Sequence, residues 1–340
     1  MTAADLSLVA AHRETVRAFA KPGEALAADS SNATTRNPRW FRQGSVGPQP
    51  RYARDQLHGR LIAEYLAARP DIRYERRAIV LAGPPGAGKS TVLQEVLGGV
   101  SEAWLTVDAD EFKRALLQAA IDDGTYEGII KPAAIHEREA AGEKFYPLEL
   151  ASLVHEESSM LAKRLRRQVI AEGMNVVVDT VLSSEDAAQR LGRDLSAAGY
   201  EVEVIDVEVP YELSVQRIAD RWQRSYEAAL SAGEGLGGRW VPSEYAREVY
   251  DGPDGRSRPE VAAERLAQMS PDVLRYRRFR TSHEGAQRVS EVDKVRISRG
   301  SALVDHDVAQ MLARSTAGLA SPRRSAKRGT NGSERGTLGR

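Results

Sequence analysis

Gly83-Pro84-Pro85-Gly86-Ala87-Gly88-Lys89-Ser90 carries the spacing G-x-x-x-x-G-K-[ST] of a phosphate-binding loop. Its glycines let the backbone curl tightly enough for successive N–H groups to face phosphate oxygens. Lys89 adds a mobile positive charge, and the Ser90 hydroxyl is a ligand for Mg²⁺. The flanks agree with this reading. Residues 78–82 (AIVLA) form a short buried strand in the pattern, and residues 91–97 continue as an apolar-periodic helix. Strand, glycine-rich turn and helix in that order argue against a chance Gly/Pro loop. Gly83, Pro84, Pro85, Gly86, Ala87, Gly88, Lys89, Ser90 and Thr91 are therefore the candidate nucleotide-binding residues, with ATP and Mg²⁺ as the expected ligands.

Outward from the loop, strands alternate with helices. Residues 78–82, 104–107, 175–179 and 200–209 read as strands, short, apolar and β-branched. Residues 90–97, 110–120, 148–172, 184–198 and 211–229 read as helices. That alternation predicts an α/β fold, a P-loop NTPase or kinase-like three-layer sandwich with a mainly parallel sheet. Residues 294–297 are the candidate fifth strand, and 259–280 read as a late helix. Before the core, 4–20 and 52–68 are helical in pattern, with a polar extended loop over 30–50. The expected organisation is an N-terminal helical extension (1–74), a P-loop kinase domain (75–300) and a C-terminal segment (301–340), disordered from about 321.

Composition narrows the class. The 340 residues are 41% hydrophobic and 28% charged, and 48 basic residues balance 48 acidic ones. Zero net charge gives no general pull towards nucleic acid or membrane. The basic tail (Arg323, Arg324, Lys327, Arg328) is compatible with a nucleic-acid contact but is read as a solvated terminus. With no cysteine there is neither disulfide nor Cys-based zinc site. No signal peptide opens the chain and no apolar run reaches membrane length, so a soluble cytoplasmic protein is expected.

Several polar groups fall where chemistry is done. Asp108 and Asp110 follow directly on the second strand, and ligands of open α/β sheets sit at such strand ends. A carboxylate there takes a proton from a hydroxyl or holds Mg²⁺; a simple helix-capping role is the alternative for Asp110 and, more so, for Asp108. Val176-Val177-Val178-Asp179 has the shape of a strand delivering a carboxylate to Mg²⁺, against a capping role for Asp179-Thr180. Arg217, Arg221 and Arg224 share one helix face, which is either solvated or aimed at phosphate. Arg239 ends a loop with four glycines in six residues, either a catalytic lid or a linker. His155-Glu156-Glu157-Ser158 is polar enough to bind substrate or to face water.

Taken together, these features resemble the zeta toxin family of P-loop kinases. The parts occur in the family order over residues 75–250: the loop, Val107-Asp108-Ala109-Asp110-Glu111-Phe112-Lys113, His155-Glu156-x-Ser158, Val176 to Thr180, Arg221 eleven residues beyond Pro210, and Gly237-Gly238-Arg239-Trp240-Val241-Pro242. The resemblance implies phosphorylation of the sugar 3′-hydroxyl of UDP-N-acetylglucosamine and, in many members, a toxin held by an antitoxin protein. It implies Asp110 as general base, Lys89 on the phosphates, Ser90 and Asp179 at the metal, and Arg221 and Arg239 on the transferring phosphoryl group. His155, Glu156, Asp179 and Thr180 would line the sugar-nucleotide pocket. The chain departs from small members by its N-terminal extension and by a segment over 121–147, which puts the acceptor in question. A nucleoside, an antibiotic or a polynucleotide end remain alternative acceptors, and a non-catalytic ATP-binding regulator is the alternative outside enzymes. No Asn-Lys-x-Asp motif supports a GTPase.

Overall fold

The computed structural model describes residues 3–319, so the tail expected from about 321 lies outside the described residues. The chain runs through α1 (Ala3–Phe19), the hairpin of β1 (Phe41–Gly44) and β2 (Gly47–Pro50), α2 (Tyr52–Ala67), β3 (Arg77–Ala82), α3 (Lys89–Leu97), β4 (Leu105–Val107) and α4 (Ala109–Asp122). It continues through α5 (Ala133–Ala140), α6 (His155–Glu172), β5 (Val176–Asp179), α7 (Glu185–Ala197), β6 (Glu201–Glu208) and α8 (Tyr211–Ala232). The last described elements are α9 (Ser243–Val249), α10 (Arg258–Met269), β7 (Val273–Arg280), β8 (Val289–Arg296), β9 (Leu303–Asp305) and α11 (His306–Leu319).

One seven-stranded sheet organises the molecule, in the order β4-β5-β3-β6-β7-β8-β9. The first five strands are parallel, and β8 and β9 extend the edge antiparallel. The strand feeding the phosphate loop, β3, lies in the middle of the parallel set. Its register pairs Val80 with Val178 on one side and Val204 on the other. Alternation along the strand sends successive side chains to opposite faces. Ala78, Val80 and Ala82 join a core with residues of α4, α6, α7 and α10, whereas Ile79 and Leu81 pack towards Val92 of α3 and Leu213 of α8. Each fully buried aliphatic side chain contributes about 1.5–3 kcal/mol. This is the three-layer α/β sandwich with a mainly parallel sheet that the sequence pattern implies.

The N-terminal residues share the larger core: Val9, Val16, Leu26, Leu61 and Ile62 are buried in it. Polar ties reinforce the junction. Arg54 and His58 of α2 both bond Glu157 of α6, with Arg54 Nη2 at 2.9 Å and His58 Nε2 at 2.7 Å.

Four sequence expectations are corrected. The helix read over 259–280 is α10 followed by strand β7, and β7 is the fifth parallel strand. Pro271 between them forces the change, since the residue before a proline leaves the helical region. Residues 294–297 instead fall at the end of antiparallel β8, with Ile297 beyond it. The helix read over 148–172 begins as a 3-10 helix, Pro147–Val154, and becomes α only at His155. The loop read over 30–50 contains the β1–β2 hairpin.

Candidate active site

The C-terminal ends of β3, β4 and β5 open into one cavity of about 1410 Å³. Residues 85–91 of the phosphate loop, Asp108, Asp110, His155, Asp179 and Thr180 line it, as do Arg221 and Arg239. Gly83, Pro84 and Glu156 are not among its lining residues. Gly83 sits beneath the loop, where a Cβ would lie 2.2 Å from the Val207 carbonyl oxygen; no larger residue fits that approach to β6. Glu156 instead accepts a hydrogen bond from the Thr35 hydroxyl of the N-terminal segment.

Helix α3 starts at Lys89 with left-handed Gly88 as its N-cap and no side chain capping it. Its first N–H groups and the positive end of its dipole therefore remain open to an anion. Lys89 Nζ donates to the carbonyl oxygens of Gly83 at 2.9 Å and Pro84 at 3.4 Å, and lies 3.9 Å from Asp179 Oδ1. The Ser214 hydroxyl donates to Pro85 O at 2.7 Å and pins the loop to α8. Ser90 and Asp179 line the cavity together, a hydroxyl and a carboxylate, which is the all-oxygen donor chemistry Mg²⁺ takes. Burial raises the Asp179 pKa, partly offset by Lys89.

Both aspartates line the cavity, and Asp108 also takes the capping role. Asp108 is the N-cap of α4, its Oδ1 accepting from Asp110 N–H at 2.8 Å. Burial, then the charges of Asp110 and Asp179, push its pKa up to about 6. The Asp110 carboxylate is held by two cations, Lys113 Nζ at 2.9 Å from Oδ1 and Arg239 Nη2 at 2.8 Å from Oδ2. Burial alone would raise its pKa, but Arg239 and Lys113 outweigh it and lower it. His155, enclosed by the cavity walls and near Lys113, is lowered to about 4 and is neutral at pH 7. Asp179 and Thr180 do not cap the next helix; Ser184 does, accepting from Ala187 N–H. Leu182, just beyond Thr180, has φ +55°, a strained conformation for a bulky residue at the cavity wall.

Gly237 and Gly238, directly before Arg239, are packing glycines. A Cβ at Gly238 would lie 2.3 Å from Trp222 O, and Leu148 N–H donates to Leu236 O at 2.8 Å. The loop is thus seated on α8 and on the 3-10 helix.

Sequence reasoning passed over Lys113 as a cavity residue, although its i+3 spacing from Asp110 is a signal of a facing pair. It also missed a basic wall formed by Lys163 and Arg166 of α6 and Arg190 of α7.

The family model described as Zeta toxin matches residues 64–254, more than half of the chain. The chain belongs to the zeta toxin family. Membership places it among P-loop kinases, whose chemistry is phosphoryl transfer. No curated protein matches the chain in sequence. Among solved structures, a chain of the AvrRxo1-ORF1:AvrRxo1-ORF2 crystal structure with sulphate ions aligns with a TM-score of 0.51 and 18% identity, over 85% of this chain and 82% of that one. A chain of the same pair crystallised with ATP has the same TM-score and identity, over 82% and 76%. A chain of the PezAT toxin-antitoxin system of Streptococcus pneumoniae aligns at 0.45 and 16% identity, over 70% and 80%. At such identities the likeness to the first two bears on the fold. The zeta toxin match ends at residue 254, so β7 to β9, like α1, lie outside it. Among the described residues no helix is long and apolar enough to cross a membrane.

Proposed function

We propose that the chain is an ATP-dependent kinase that phosphorylates a hydroxyl of a nucleotide sugar, with the 3′-hydroxyl of UDP-N-acetylglucosamine as the first acceptor to test. One observation carries this reading: Asp110, clasped by Lys113 and Arg239, shares a cavity with an uncapped helix N-terminus bearing Lys89. A base and an anion cradle in one enclosure are the two halves that phosphoryl transfer to an alcohol needs.

The loop N–H groups and Lys89 bind the β- and γ-phosphates. Ser90 and Asp179 would hold Mg²⁺, which screens phosphate charge when bound. Asp110 accepts the acceptor's proton, the freed oxygen bonds to the γ-phosphorus, and the bond from that phosphorus to the bridging oxygen breaks to release ADP. Arg221 and Arg239 neutralise the equatorial oxygens as charge spreads over them.

The basic wall supports an acceptor that carries phosphate. From His155 to Arg166 is eleven residues along α6, about 16 Å at 1.5 Å each. Lys163, Arg166 and Arg190 suit a diphosphate remote from the reacting hydroxyl. A neutral antibiotic would leave those charges unused. The AvrRxo1 structure pairs ORF1 with ORF2, and we extend a pairing of that kind to this chain as an antitoxin partner.

The test is incubation with ATP, Mg²⁺ and a panel of UDP-sugars, followed by mass analysis. A phosphorylated sugar nucleotide, lost in Asp110→Ala, is expected. Transfer to nucleosides or polynucleotide ends and to no UDP-sugar would overturn the acceptor assignment.

A further inference from the structure

Helix α1, outside the matched family region, inserts one polar side chain into the core behind the two arginines. His12 is 4% exposed. Its Nδ1 lies 2.7 Å from Glu143 Oε1 and its Nε2 3.0 Å from Glu149 Oε1. Glu149 takes two further donors, Tyr146 N–H on Oε2 at 2.8 Å and Trp222 Nε1–H on Oε1 at 3.1 Å. With carboxylate oxygens at both ring nitrogens, the imidazolium is the form that donates to both. Burial by itself would lower the His12 pKa; the bonds and charges of Glu149 and Glu143 outweigh it and raise it. The ring also lies over Tyr226, 4.6 Å between centroids and 27° between planes.

From this clasp a run of contacts leads to the cavity. Trp222 stacks on Tyr226 at 5.3 Å and meets Trp240 edge-on at 5.7 Å. Each tryptophan is the sequence neighbour of an arginine: Trp222 follows Arg221, and Trp240 follows Arg239. The backbone agrees, since Gly238 rests on the Trp222 carbonyl. Arg221, Arg239 and Trp240 line the cavity, whereas His12 does not. Two arginines on separate elements thus share one aromatic corner, and His12 of α1 contacts that corner through Trp222, Tyr226 and Glu149.

We propose that His12 is a positioning residue for phosphoryl transfer: through Glu149 and Trp222 it holds the corner from which Arg221 and Arg239 reach the transferring group. The N-terminal helix is then part of the catalytic apparatus, although it supplies no atom to the cavity. The link to transfer rests on the kinase reading above; the ordering of the corner does not.

Two full-length variants test this. His12→Phe keeps the ring volume and removes both donors, and Trp222→Phe keeps an aromatic ring and removes the bond to Glu149. Amide hydrogen exchange is followed in the unliganded proteins, with β3 and β6 as internal references. Exchange over residues 236–241 is expected to quicken roughly 10-fold or more in both variants, with the references unchanged. In the transfer assay kcat is expected to fall about 10-fold or more while the KM for ATP stays within about 2-fold. His12→Gln, which retains a donor for one carboxylate, should recover part of both losses. Unchanged exchange at 236–241 in both variants, or an equal rise in β3 and β6, would overturn the proposal. If the wild-type chain transferred to no acceptor, the kinase reading would fail, while the exchange comparison would still decide the ordering.

Discussion

Arg239 Nη2 lies 2.8 Å from Asp110 Oδ2, so the group assigned to the phosphoryl oxygens is paired with the group assigned to the acceptor proton. Each restrains the other. While Arg239 sits on Asp110, the carboxylate is ionised but a poor base, its pKa held below the usual range. In the proposed reaction a γ-phosphoryl group would draw Arg239 away and leave Asp110 more basic at the moment the hydroxyl must lose its proton. For Arg239→Ala, kcat should fall by ~10³-fold or more, with ATP affinity altered far less. The acidic limb of the residual rate should also move to higher pH. Steady-state kinetics across pH and a nucleotide titration read all three.

Asp110→Asn tests the base directly. The amide keeps the shape but accepts no proton, and a positioned base is worth ~10²–10⁴ in rate. Transfer should drop by about that factor while ATP binding persists. Equal turnover in the variant would remove Asp110 from the reaction.

Asp108 should make the protein less stable as pH rises. Its folded pKa of about 6 stands above its unfolded value of 3.8, so folding favours the protonated form. The penalty is absent below pH ~4, grows between ~4 and ~6, and reaches about 3 kcal/mol at neutrality. Asp108→Asn keeps a capping oxygen and has no charge to lose. Urea unfolding should show the variant more stable than wild type at pH 7.5, by up to ~3 kcal/mol, and equal to it near pH 4.

The Glu157 link has the opposite sign. Burial opposes its charge, but the hydrogen bonds of His58 and Arg54 dominate and depress its pKa to about 2, from 4.5. Its contribution of ~3 kcal/mol is complete above pH ~4.5 and is lost as pH falls through ~2. Glu157→Gln leaves Arg54 buried without its anion and should cost about 3–5 kcal/mol in urea unfolding at pH 7. A change under ~1 kcal/mol would show that the pair contributes little.

The site was legible where chemistry follows local spacing. The phosphate loop, the carboxylates at the ends of β4 and β5 and the two arginines all stand at fixed offsets from a strand end, a proline or a glycine pair. Strand β7 was not legible as a strand because Val273-Leu274-Arg275-Tyr276-Arg277-Arg278-Phe279-Arg280 is half arginine, which hides the alternation. Its partners explain the composition: Arg278 pairs with buried Asp206 at 3.0 Å and Arg277 with Glu203. The connection of His12 to Glu149 was illegible for a different reason. No pattern in one sequence joins an isolated histidine to a glutamate 137 residues away.

That separation also sets the order in which the enzyme comes into being. A ribosome adding about 5–20 residues per second needs roughly 7–27 s to pass from His12 to Glu149, and longer to reach Trp222. During that interval His12 lacks the Glu149 carboxylate. The corner carrying both arginines closes only after the second half of the chain has emerged. A nascent chain therefore holds its phosphate loop well before it holds both arginines that line the cavity with it.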